Sequence, residues 1–130
     1  MAWQLGEKEV LAVSALEGPE RYAYFVKRVA DEQRLWSLWN DGWVLAKDDA
    51  GRELVPVWPH QDYAALCAKG EWADHTPKEI NLDAWIERWL PGIEGDNRLV
   101  AVFPTDENQG VVVDSRRLTS DLEQELEKYA

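Results

Sequence analysis

The sequence predicts an α+β domain: a small antiparallel sheet of hairpins or a meander, with flanking helices and a C-terminal helix. Three observations carry this. Apolar residues recur at helical spacing near the start, in the middle and at the end of the chain. Short β-rich segments between them are joined by Asp/Gly links. Eight tryptophans and a hydrophobic content of 45% supply a core. At 130 residues and 15.0 kDa, the chain is expected to form one domain over residues 1–130.

A loosely patterned helix is expected from about Glu7 to Leu16, closed by the break Glu17-Gly18-Pro19. A second, from Pro19 to Asp31, places Tyr22, Phe25, Val26 and Val29 on one face, with Pro19 suited to its first turn. Three strands follow, Arg34 to Trp39, Trp43 to Lys47 and Arg52 to Trp58; the links Asp41-Gly42 and Asp48 to Gly51 suit tight hairpins. Pro56 cannot donate to a ladder, so the third strand is expected at an edge or to end near it. Pro59 is read as opening a helix to about Lys69, stopped by Gly70.

The clearest helix carries Leu82, Trp85, Ile86, Trp89 and Leu90, with Asn81 as N-cap and Pro91-Gly92 as stop. Leu99 to Phe103 and Gly110 to Val113 read as paired strands. Leu118, Leu122, Leu126 and Tyr129 line a terminal helix whose other face is mostly acidic.

Charge then limits function. Twenty-five carboxylates against 14 basic residues give a net charge of −11, which disfavours nucleic acid, because phosphate backbones are bound by Lys and Arg. Negative charge maintains solubility, and it also suits steering toward a basic protein. Apolar runs such as Leu99 to Phe103 fall far short of the roughly 20 residues of a membrane helix. A single cysteine and a start without a basic, apolar leader lead to the expectation of a soluble protein in a reducing cytoplasm.

Candidate chemistry is densest between Pro56 and Trp72. On a helix after Pro59, His60, Tyr63 and Cys67 share one face at spacings of three and four. With Trp58, Glu71 and Trp72 they form a candidate ligand-binding wall, while the residue types favour Tyr63 and Cys67 as core contacts and His60 as a helix-start residue. Cys67 stands about two helical turns from His60, too far for a direct hydrogen bond on one helix; His75 lies outside it, so a Cys/His hydrolase stays open as an alternative. Cys67, His60 and His75 are too few for a structural zinc site, no phosphate-cradling glycine pattern occurs, and Asp106 to Gly110 lacks the calcium-loop pattern. No metal, cofactor or catalytic residue is assigned. Most of the tryptophans are expected to be packing residues, Trp85 and Trp89 in the core and Trp39 and Trp43 as a cross-strand pair, with an exposed site lined by one or two of Trp39, Trp58 and Trp72 as the alternative.

Several motifs in one order carry a resemblance: Arg21-Tyr22-x-Tyr24-Phe25, Leu35-Trp36, Gly42-Trp43, Pro56-Val57-Trp58-Pro59, Cys67, Gly70-Glu71-Trp72, Trp89-Leu90-Pro91, Val102-Phe103-Pro104 and Gly110 to Val113. Over residues 18–129 the chain resembles the bacterial family called domain of unknown function 2750. The resemblance implies a small bacterial cytoplasmic α+β domain and supplies no activity. Two functional expectations result. The first is a non-enzymatic interaction protein, self-associating or acting as an acidic inhibitor or immunity partner of a basic protein. The second is a small-molecule binding protein or cryptic enzyme built around Trp58, His60, Tyr63, Cys67, Glu71 and Trp72.

Overall fold

The computed structural model describes residues 4–105 and 109–129, so part of the Asp106 to Gly110 segment lies outside the described residues. Helix α1 (Glu7–Ser14) buries Val13 and leaves Leu11 exposed. Helix α2 (Gly18–Glu32) starts at the proline and places Tyr22, Phe25, Val26 and Val29 in the core, as their spacing predicts. Gln33, left-handed at φ 61°, ends it.

Strand β1 (Arg34–Trp39) leads into a tip where Trp39 and Trp43 form an isolated bridge and a T-shaped ring pair at 5.1 Å. The expected strand from Trp43 shortens to β2 (Ala46–Lys47), which pairs antiparallel with β3 (Glu53–Val57). The link between them is tied by Asp48, whose carboxylate accepts from the Ala50 and Arg52 amides and the Arg52 guanidinium. Those bonds, the Arg52 amide foremost, hold its carboxyl below the usual range.

The meander is incomplete because β1 takes a different partner, β4 (Thr76–Asn81), with Arg34 opposite Asn81 and Trp39 opposite Thr76. Nothing in β4 announces a strand: its only buried residue is Ile80, and Pro77, Lys78 and Glu79 suit a solvated edge. The two sheets meet where Trp36 and Trp58 exchange backbone hydrogen bonds of 2.9 and 2.8 Å.

Helices, hairpins and a C-terminal helix confirm the α+β class, with one parallel pairing inside the second sheet. Its order is β2-β3-β5-β6, where β5 (Leu99–Val102) lies parallel to β3 and β6 (Val111–Val113) antiparallel to β5. Leu54-Val55-Pro56-Val57 and Val100-Ala101-Val102 are buried runs, the pattern of a sheet covered on both sides. Pro56 therefore lies in a central strand, not at an edge, and the strand ends one residue later at Val57, the other expected outcome. The Pro56 backbone points away from β5 into the gap beyond the end of β2, where no ladder acceptor needs its missing N–H, and the buried Ser37 hydroxyl donates to its carbonyl at 2.7 Å.

Helix α3 (Gln61–Leu66) is shorter than expected, since the chain tightens into i→i−3 bonds at Cys67 and Ala68 and then into a 3₁₀ turn at Gly70–Trp72. The expected stop at Pro91 is also corrected. Helix α4 (Leu82–Ala84), capped by the Asn81 side chain, passes through a π turn at Trp85–Trp89 into α5 (Leu90–Gly95). Leu90 N–H bonds back five residues to Trp85, and this wider turn absorbs Pro91, which has no N–H for Glu87 and whose ring would crowd its carbonyl. Helix α6 (Ser115–Leu126), capped by Asp114, buries Leu118 and Leu122 and packs on α2 and α5.

At Gly110, φ is +91° and an added Cβ would stand 2.6 Å from the Val102 carbonyl oxygen, backbone that cannot step aside. We expect Gly110→Ala to cost about 2 kcal/mol or more in urea unfolding. A loss under about 0.5 kcal/mol would contradict this contact.

Candidate functional site

The residues of interest gather around the corner after β5. Phe103 has φ +57°, a left-handed conformation unusual for a bulky residue, while its amide still donates to Val57 at 2.8 Å. Its carbonyl accepts from Arg21 Nε at 3.0 Å, and Arg21 Nη1 reaches the Leu16 carbonyl at 2.7 Å. Arg21 is buried; desolvation lowers its pKa, from a value so high that it stays charged. Trp58 Nε1 donates to the next carbonyl, Pro104, at 2.9 Å, and Cys67 Sγ to the same oxygen at 3.4 Å.

The six candidate residues divide at this corner. Trp58, Tyr63 and His60 are buried. His60 Nδ1 accepts from the Asp62 amide at 3.1 Å, the helix-start role its position suggests. Cys67 and Trp72 are half-buried and line a cleft, whereas Glu71 is exposed and lines none of the clefts described below. Among the described residues, no group of three or more His, Cys, Asp or Glu side chains is placed to hold a metal ion.

The cleft has a volume of about 490 Å³. One sheet face forms its floor through Ala46, Leu54, Pro56 and Ala101, with Cys67, Lys69, Trp72, Thr105 and Gln109 around it. Cys67, Pro104 and Thr105 also border a second hollow, a groove of about 400 Å³ between α1 and α3. That groove is mainly apolar, lined by Val10, Leu11, Ala15, Tyr63, Leu66 and Phe103, with Leu11 67% and Leu66 42% exposed.

Below it, the Tyr63 hydroxyl lies 3.2 Å from that of Tyr24, which donates to Glu9 at 2.7 Å. Burial, first of all, pushes both phenols up; the Tyr63 and Glu9 hydrogen bonds add to the rise of Tyr24. Tyr22, buried and bonded to Asp121, is raised for the same reasons.

Sequence reasoning missed Arg21, Leu11 and Leu66. The available signal for Arg21 was a charge inside the α2 apolar stripe, four residues before Phe25. The two leucines belong to different helices, and only the fold brings them to one groove.

Residues 22–122 match the profile of a protein family described as "Protein of unknown function (DUF2750)". No curated protein matches the chain.

The raised phenols give a pH signature. A tyrosine whose folded pKa exceeds its unfolded value of about 10 adds stability that is complete below that pH and lost as pH climbs toward the folded pKa. We expect Tyr22, Tyr24 and Tyr63 to form phenolate only as the fold is lost, above pH of about 10. The check is tyrosinate absorbance recorded beside circular dichroism; ionisation of all three with ellipticity intact would contradict the buried network.

Proposed function

The chain belongs to the DUF2750 family, whose function is unknown, and we propose that it is a non-enzymatic interaction module whose α1–α3 groove receives an apolar segment of a basic protein. The observation that carries this reading is the pair of exposed leucines, Leu11 and Leu66, lining one groove from two helices. Docking over them stabilises a complex by on the order of 1–2 kcal/mol each, too little alone for tight association. Charge supports the remainder: the chain carries −11, and Glu7 and Glu9 in α1 and Asp62 in α3 stand in the first turns of the two groove helices. Binding is favoured over catalysis because the Cys67 thiol and His60 Nδ1 both serve backbone groups of the fold. A reducing, cytoplasmic setting suits the lone cysteine. Among the described residues no helix is long and apolar enough to cross a membrane.

The 490 Å³ cleft supports a second reading, a small molecule held over the sheet face beside Cys67, Lys69 and Trp72. Of the residues expected to bind it, Trp58 acts from behind, through the Pro104 carbonyl.

The test is affinity capture from the native host at low and moderate salt, using the unaltered protein and the double variant Leu11→Asp, Leu66→Asp. Both positions are exposed, so the variant is expected to keep its circular dichroism. A basic protein that is retained by the unaltered chain and lost both with salt and with the double variant is the expected result. Capture indifferent to the variant would overturn the groove as the docking site. Recovery of this chain alone, at twice its mass in solution, would replace the basic partner with self-association.

A further inference from the structure

On another part of the surface, the β1–β2 tip and the α4–α5 helix enclose a third hollow of about 400 Å³. Two of its walls are indoles. Trp43 and Trp89 meet nearly at right angles, 81°, with ring centres 4.8 Å apart. Each is backed by a further indole: Trp39 lies 5.1 Å from Trp43, and Trp85 5.5 Å from Trp89. Lys78 Nζ, 3.8 Å from the Trp39 ring centre and 5.3 Å from that of Trp43, holds the outer end by cation–π attraction. Both half-buried indoles are therefore fixed before any ligand arrives. Leu45, 41% exposed, adds an apolar surface at the same hollow.

Arg88 and Arg98 line the hollow together with one carboxylate, Asp96, a balance unlike that of the acidic chain as a whole. Arg98 is committed, its Nε to Glu53 at 3.0 Å and its Nη1 to Asp96 at 2.9 Å. Arg88 is exposed, lines the same hollow and has no ion pair among the described residues. It stands on the π turn that accommodates Pro91, and single π turns recur at functional sites.

We propose that the hollow bounded by Trp43, Leu45, Val55, Arg88, Trp89 and Ile93 binds a small aromatic carboxylate, its ring against the two indoles and its carboxylate on Arg88. The volume lies within the range of about 300–1,000 Å³ typical of small-molecule sites. A guanidinium supplies the forked donor geometry a carboxylate accepts, and an aromatic body suits rigid indole walls better than a flexible chain does. This site is separate from the α1–α3 groove and does not depend on the function proposed for it.

The test titrates the full chain with indole-3-acetate and with its neutral isostere indole-3-acetamide. Affinity is read by calorimetry and location by the indole N–H resonances of Trp43 and Trp89. We expect the acid to bind about fivefold more tightly than the amide, the advantage of one solvent-accessible ion pair. Arg88→Gln should remove that advantage while leaving amide binding in place, and Arg88→Lys should retain part of it. Arg88 is exposed, so circular dichroism is expected to stay unchanged in both variants. Absence of saturable binding by either probe overturns the proposal, as does a preference for the acid that survives Arg88→Gln. Perturbation of Trp72 in place of Trp43 and Trp89 also overturns it.

Discussion

Two consecutive carbonyls, those of Phe103 and Pro104, hold the molecule's main elements in place. Donors reach them from α2 through Arg21, from the end of β3 through Trp58 and from the end of α3 through Cys67. Each donor comes from a different stretch of sequence, so the corner ties helices to sheet where apolar contact alone would permit sliding. Phe103 adopts a left-handed backbone that costs of order 1–3 kcal/mol, and it persists because these bonds and its packing against Tyr63 at 4.7 Å over-determine it. Both hollows on this side of the molecule share Pro104 and Thr105. The shape of each is thus a by-product of one clamp.

A second organising constraint comes from proline. Pro56 sits in a central strand because its neighbour on that side has already ended, and Pro91 sits within a helical run because a π turn precedes it. In both cases the missing N–H is accommodated by a local departure from regular structure. The π-turn departure shapes surface as well, since Arg88 and Trp89 lie on that turn and line the tryptophan hollow.

Elements with a strong period were legible in the chain. The α2 stripe, the Asn81 cap, the Trp39–Trp43 pair and the β5–β6 hairpin all follow from local chemistry. Strand β4 was not legible, because an edge strand with one buried residue has almost no hydrophobic alternation to read. The parallel β3–β5 pairing was hidden for a different reason: a buried apolar run states that a strand is covered, not which strand covers it. At the site, helical spacing correctly related Tyr63 to Cys67, which line the same groove. Spacing could not place Trp58 and His60 behind that surface, nor Glu71 beyond it.

The β3–β5 pairing also governs how the chain reaches this fold. The hairpins β2–β3 and β5–β6 join neighbours in sequence, whereas Leu54 must find Leu99 across α3, β4 and the whole α4–α5 helix. Closing so large a loop sacrifices chain entropy before the ladder returns any enthalpy. The two hairpins need only contacts close in sequence, whereas the larger loop-closure cost falls on their union. Until it occurs, neither the floor of the larger cleft, shared between Leu54 and Ala101, nor the corner that follows β5 exists.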